Sequence, residues 1–272
     1  MWVIGHLRRW AKGLSVALAW AQQEITLPAA GDLFAVDPLH HLYVWSASER
    51  ALYKVWAPRY DSLTRIGGAP GEEGFLSVSA LAPVGNQQLY VLDSEGQQIL
   101  LLGTNLQPLQ RLLYSQLPPE VVEGYPVLLA AGSAGELYLL LRQSQEIVKI
   151  DFFGRVLLRF GGKTYGPGRI VGAAALRAAE GFLAVVDTSR RQVLRYDLWG
   201  TFLQAVEYPA WAEGAAVGAQ GLFFWGGQQG LWQPWEGEGA AVILPTVPRA
   251  VALEASRLYW LAGRRLGWLP LP

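Results

Sequence analysis

"FLAVVDTSRRQVLRYDLWG", residues 182–200, holds an apolar run, a polar tip, a second apolar run and a tight turn. Two short apolar runs separated by such a tip read as a β-hairpin. The stretch has echoes at 88–102, "QLYVLDSEGQQILLL", and at 136–154, "ELYLLLRQSQEIVKIDFFG". Aligning the first apolar strand of each echo gives anchors at Leu42, Leu89, Leu137, Leu183, Leu222 and Leu258, spaced by 47, 48, 46, 39 and 36 residues. A second strand begins 10, 10, 10, 10, 9 and 8 residues after each anchor, at Leu52, Ile99, Ile147, Val193, Leu231 and Leu266. Periods of about 40 to 50 residues are those of propeller blades.

Each unit has two further strands. One precedes the anchor, as in "SVSALAPV" and "AAALRAA"; another follows a turn, as in "VLLRFGG" and "FLQAVEY". The turns "DFFG" (151–154) and "DLWG" (197–200) begin with Asp and end with Gly, the residues tight turns favour. The sixth unit supplies only three strands before the chain ends. An open sheet edge needs a partner, and "QEITL" at 23–27 stands just ahead of the first unit. The expected fold is therefore all-β: a six-bladed β-propeller with four-stranded antiparallel blades, the last closed by the N-terminal strand.

The stretch "VVDTSRRQVLRYDLWGTFL", with the Gly-rich joints "IGGAPGEEGFLSVSAL" and "FGGKTYGPGRIVGAAAL", resembles the NHL repeat. The resemblance is closest in units two to four. It implies a six-bladed propeller and leaves function open, because NHL-like propellers include binding modules, structural parts and a few enzymes.

The rest of the composition narrows the setting. Of 272 residues 51% are hydrophobic and 16% charged, enough apolar material for a large core. The formal net charge is zero, which argues against a nucleic-acid binder driven by a basic surface. "MWVIGHLRRWAKG" carries Arg8, Arg9 and Lys12 and no acid, then "LSVALAWA" ends on Ala19-Trp20-Ala21. That is a signal-peptide layout over residues 1–21, and the apolar run is shorter than the roughly 20 residues that cross a bilayer. Without residues 1–23 the chain has 19 basic and 22 acidic residues. The expected domains are a signal peptide at 1–21 and a propeller at 22–272, exported to the periplasm or medium and with no membrane span. The absence of cysteine excludes disulfides, thiolate metal sites and lipid-modified cysteine. The absence of an Asn-x-Ser/Thr sequon favours a bacterial source.

Chemistry-bearing residues are few. His40 and His41 in "DPLHHLYV" are adjacent, so on a strand they point to opposite faces and cannot easily share an ion. NHL-like amidating lyases use several histidines around zinc, a set this chain does not supply. Propeller lactonases hold calcium with Glu, Asn and Asp; Asn86 and Asn105, the only asparagines, fall in expected turns. No catalytic residue, metal ligand or cofactor is assigned. Asp93 and Asp187 occupy equivalent hairpin positions, where a side-chain hydrogen bond to the local backbone is the expectation. The hairpin tips share one rim and carry Arg50, Arg142, Arg190, Arg191, Arg264 and Arg265 against Glu49, Asp93, Glu95, Glu146 and Asp187; the arginines are candidates for anion or carboxylate recognition through bidentate hydrogen bonds, with a mixed solvated edge as the alternative. Trp235, beside Pro234 in "GLWQPWEGEG", is the candidate exposed aromatic. The expected function is a binding or scaffolding module for a protein, peptide or glycan. A metal-dependent, lactonase-like hydrolase and a structural subunit of an envelope complex are the alternatives.

Overall fold

The computed structural model describes residues 23–68, 74–85, 87–132 and 135–271. The expected signal peptide and Asn86 lie outside these. Blade 1 holds β2 to β5 (Leu33–Val36, Leu42–Ser46, Ala51–Val55, Leu63–Gly67), and blade 2 holds β6 to β9 (Val78–Val84, Gln88–Asp93, Gln98–Leu102, Pro108–Leu113). Blade 3 is β10 to β13 (Pro126–Ala131, Leu137–Leu141, Glu146–Ile150, Val156–Gly161), and blade 4 is β14 to β17 (Ala173–Ala179, Phe182–Asp187, Gln192–Tyr196, Phe202–Glu207). Blade 5 is β18 to β21 (Gly214–Val217, Gly221–Gly226, Gln229–Pro234, Ala240–Ile243). Blade 6 joins β22 to β24 (Ala250–Glu254, Arg257–Ala262, Arg265–Pro270) to β1 (Gln23–Thr26). The order β1-β24-β23-β22 is the expected closure, with Gln23 opposite Trp268 and Thr26 opposite Arg265.

The anchor strands read as unbroken apolar runs because both of their faces are buried. In β3, Leu42 and Val44 pack against blade 6, whereas Tyr43 and Trp45 pack against blade 2. In β15, Leu183 and Val185 face blade 3, and Phe182, Ala184 and Val186 face blade 5. The period of two along a strand sends alternate side chains into alternate clefts. Among the described residues the buried apolar side chains accordingly form six clusters, one for each cleft between neighbouring blades. A single blade has no inside; burial arises only between blades.

Between blades 2 and 3 the connection includes a one-turn 3-10 helix (Tyr114–Gln116) and α1 (Pro119–Glu123). Pro119 suits a first helical turn, where its missing N–H has no partner to lose. Among the described residues no helix is long and apolar enough to cross a membrane.

Candidate functional site

The tips joining the second and third strands of each blade lie with the joints between blades on one face. The turns joining first to second and third to fourth strands lie on the other. Hydrogen bonds tie the tips to the joints. Asp93 accepts the backbone N–H of Gly96 in its own tip (3.1 Å) and those of Leu76 and Ser77 in the joint from blade 1 (3.1 and 2.8 Å). Asp187 likewise takes Arg190 N–H (3.1 Å), Val171 N–H (2.8 Å) and Gly172 N–H (3.1 Å). Both carboxylates are fully buried. The expected local bond is present, and each carboxylate also clamps the incoming joint to its own blade. Carboxylates used in this way satisfy backbone donors that would otherwise be buried without partners.

Three of the six tip arginines are engaged, one on the following joint and two at the closure of the ring. Arg191 donates to the carbonyls of Pro209, Ala210 and Ala212 (3.0, 3.2 and 3.0 Å), which form the joint to blade 5. Arg264 donates to Leu27 O (2.9 Å), and Arg265 makes a bidentate pair with Glu24 (2.6 and 2.7 Å). Arg50 stands exposed on blade 1, across the ring from blade 4. Arg142 and Arg190 stand on the tips of neighbouring blades. Gln145 ties the blade 3 tip to blade 4: its amide donates to Arg142 O (3.1 Å) and its Oε1 accepts Ala173 N–H (2.9 Å) at the start of β14.

The joint between these blades adds groups not singled out in the sequence. Segment 162–172, "GKTYGPGRIVG", carries Lys163 and Arg169 and no acid. Lys163 N–H reaches Ser144 O in the blade 3 tip (3.2 Å), and Arg190 Nη1 donates to Arg169 O (2.8 Å). Arg142, Lys163, Arg169, Arg190 and Arg191 thus occupy three contiguous loops bordered by two acids, the buried Asp187 and Glu146, and none of the five forms an ion pair among the described residues. Nearby Glu146 is approached by Arg159 (3.9 Å), which also pairs with Glu120 (3.2 Å). Tyr165 projects from the same joint, 93% exposed, and Arg142 lies 5.0 Å from the Tyr125 ring. The readable signal was the lopsided charge of the joint, hidden by its reading as a glycine hinge.

Trp235 does not join this sector. It lies in the third-to-fourth-strand turn of blade 5, on the opposite face, and it is half-buried. Its ring packs edge-on to Phe182 (5.5 Å) with the Arg195 guanidinium 4.1 Å away. This departs from the exposed position expected for it: Pro234 ends β20, but the chain then folds the indole back into the cleft with blade 4.

Trp235 belongs to a recurring device. A cation on the third strand of one blade reaches the last turn of the next. Lys54, fully buried, donates to Thr104 O (2.8 Å) with Nζ 3.9 Å from the Trp56 ring. Lys149 donates to Leu198 O (3.4 Å), and Arg195 meets Trp235. Burial lowers the Lys54 amine below its ordinary pKa, with Asp37 opposing. In blade 2 the same position is Leu101, and a small apolar cavity bounded by Tyr90, Leu101 and Phe152 takes the place of the cation.

The two histidines diverge. His41 Nδ1 accepts Ala57 N–H (2.9 Å) within blade 1, whereas His40 Nδ1 lies 2.7 Å from the Tyr259 hydroxyl of blade 6. Burial holds both below the usual imidazole range, and Arg257 adds to this for His40. In the channel Glu254 of β22 pairs with Arg177 of β14 (2.7 Å). Among the described residues no three His, Asp or Glu side chains converge as metal ligands would.

No family model and no curated protein sequence matches this chain. Solved propellers do. A gluconolactonase from Xanthomonas campestris superposes with a TM-score of 0.64 at 14% identity, over 92% of this chain and 90% of that one. A virginiamycin B lyase from Staphylococcus aureus, crystallised with quinupristin as an inactive variant, gives 0.60 at 13% identity over 92% and 99%. YCF48 bound to D1 peptide gives 0.54 at 11% identity over 95% and 99%. At such identities the likeness establishes the propeller fold and nothing finer. The NHL family is not among what these matches support.

Proposed function

We propose that the protein is an exported propeller that acts as a binding or scaffolding module, recognising carboxylates of a protein or peptide partner on the blade 3–4 sector. The observation that carries this reading is the set of five cations in three contiguous loops whose bordering acids are engaged elsewhere, Asp187 buried on backbone N–H groups and Glu146 approached by Arg159. Clustered guanidinium groups bind carboxylates in pairs of parallel hydrogen bonds. Arg142 and Arg190 are the residues best placed to do so; Lys163 and Arg169 add field, and Tyr165 adds an exposed ring. Propeller neighbours that hold a peptide or protein, YCF48 with D1 peptide and nidogen with laminin, support a binding role by analogy of fold. Export rests on the charge and apolar layout of residues 1–21. The lactonase-like reading has no comparable feature behind it, since Glu254 in the channel is tied to Arg177.

The test is a charge reversal, Arg142→Glu with Lys163→Glu and Arg190→Glu. Wild-type protein immobilised on resin should retain a Glu-rich peptide at low salt and release it as salt rises, because exposed charge pairs are screened. The triple variant should retain none. Equal retention by both proteins overturns the assignment.

A further inference from the structure

On the opposite face the turns 151–154 and 197–200 present two rings at equivalent points of adjacent blades. Asp151 accepts Phe153 N–H and Arg155 N–H (both 2.9 Å); Asp197 accepts Trp199 N–H and Thr201 N–H (2.9 and 2.8 Å). These Asx-type bonds fix the turns. They hold Trp199 at 80% and Phe153 at 70% exposure, unusual values for such large apolar groups. The outward strands continue the pattern. Leu157 of β13 and Leu203 of β17 stand six residues after Asp151 and Asp197, and with Leu109 of β9 and Phe152 they are 41–54% exposed. The blades are knitted at this level, by Gln110 Nε2 to Phe152 O (3.1 Å) and by Lys149 to Leu198 O (3.4 Å). The six side chains therefore form one outer wall over blades 2 to 4.

We infer that this wall is an interface with a second copy of the same chain, related by a two-fold axis between blades 3 and 4. Area is the first reason. Taking about 150–250 Å² for a large side chain, the six expose on the order of 700 Å², close to the roughly 800 Å² per partner of a standard interface. Charge is the second. A surface that meets its own copy must not carry net charge, because like charges then face each other. Here the cations are matched internally, Arg155 with Asp151 (2.6 Å) and Lys149 with Glu136 (3.3 Å). The arginine sector on the other face fails this condition and suits an unlike partner. Pattern is the third. An isologous contact needs residue i to meet j while j meets i. The duplicated motif provides this: rotation about an axis between the blades sets Phe153 against the other copy's Trp199, and Leu157 against its Leu203.

Sedimentation velocity of the full chain, from nanomolar to about 100 μM, spans the range such interfaces cover. A concentration-dependent shift to twice the monomer mass is expected. The double variant Phe153→Ser with Trp199→Ser should weaken association by about 100-fold or more, as loss of central aromatic anchors does. A second variant, Leu157→Lys with Leu203→Lys, should do the same by placing cations against cations. Melting temperatures within a few degrees of wild type show that both variants fold. A wild-type chain that stays monomeric at the highest loading overturns the inference, even if some other protein binds the wall. So does a dimer unaffected by the outer-wall substitutions in folded protein.

Discussion

Blade 4 and blade 6 have the same four strands and nearly the same ladders, yet they are assembled differently. Blade 4 is one continuous meander from Ala173 to Glu207, and Asp187 pins it to the joint behind it. Blade 6 borrows β1 from the far end of the described chain, across four residue pairs. No neighbouring turn holds that strand in place. Its ladder is supplemented by Leu27 N–H to Arg264 O (2.7 Å) and Gly31 N–H to Gly263 O (3.0 Å), by the Arg265–Glu24 pair and by Arg264 on Leu27 O. Local meanders close short loops at small entropic cost, whereas the ring closes a loop of some 240 residues, which costs more. Similar ladders therefore leave blade 6 the easier one to open.

The sharpest way to break the comparison is to delete residues 22–27. The outer edge of β24 then loses its partner, and the melting temperature should fall by about 10 °C or more. An unchanged transition in calorimetry would mean that the ring is held without this strand. In blade 4 the corresponding weak point is a side chain. Asp187→Ala leaves two joint N–H groups, Val171 and Gly172, and the tip N–H of Arg190 without their acceptor and should cost about 3 kcal/mol or more in urea denaturation. Asp187→Asn, which keeps an oxygen, should cost less. If Asp187→Ala is neutral, the clamp contributes nothing and the contrast between the blades narrows.

Acid should act on blade 6 before blade 4. His40 bonds Tyr259 of blade 6, while blade 4 contains no histidine. Because burial and Arg257 lower the His40 pKa, the unfolded chain binds the proton more readily than the folded one. Stability is thus complete above about pH 6.5 and declines as pH falls from there toward the folded-state pKa. His41 shifts in the same direction. Hydrogen exchange at pH 5 and pH 7.5 should show β23 and β24 losing protection first, and His40→Gln should reduce the difference. The smallest effect belongs to Glu24→Gln, which should move the melting temperature by about 1 °C or less, since an exposed ion pair is screened by water and salt.

Much of this architecture was readable because burial on both faces imposes a pattern. Leu42-Tyr43-Val44-Trp45 and Leu137-Tyr138-Leu139-Leu140 had to be apolar throughout, so anchors and spacings survived even where blades 5 and 6 shorten. The missing strand of blade 6 and its replacement at 23–27 followed from counting. Contacts that depend on which blades adjoin were hidden. Nothing in "TSRRQ" says that Arg191 reaches the next joint while Arg190 remains with the previous one. Trp235 looked like a turn residue by its neighbours in sequence, but Arg195 and Phe182 of the adjoining blade decide its position. The short helix α1 escaped because Pro118-Pro119 reads first as a breaker, although proline also starts helices.

The borrowed strand also orders events in time. β1 leaves the ribosome ahead of every blade, yet its partner β24 (Arg265–Pro270) is the last of the described strands to be made. Blades 1 to 5 can each pair their own four strands as their residues emerge, whereas β1 must wait for β24. Long-range pairing of this kind is slow. During synthesis the edge of β1 is a free strand, and the nascent chain must keep it from other partners until β24 arrives.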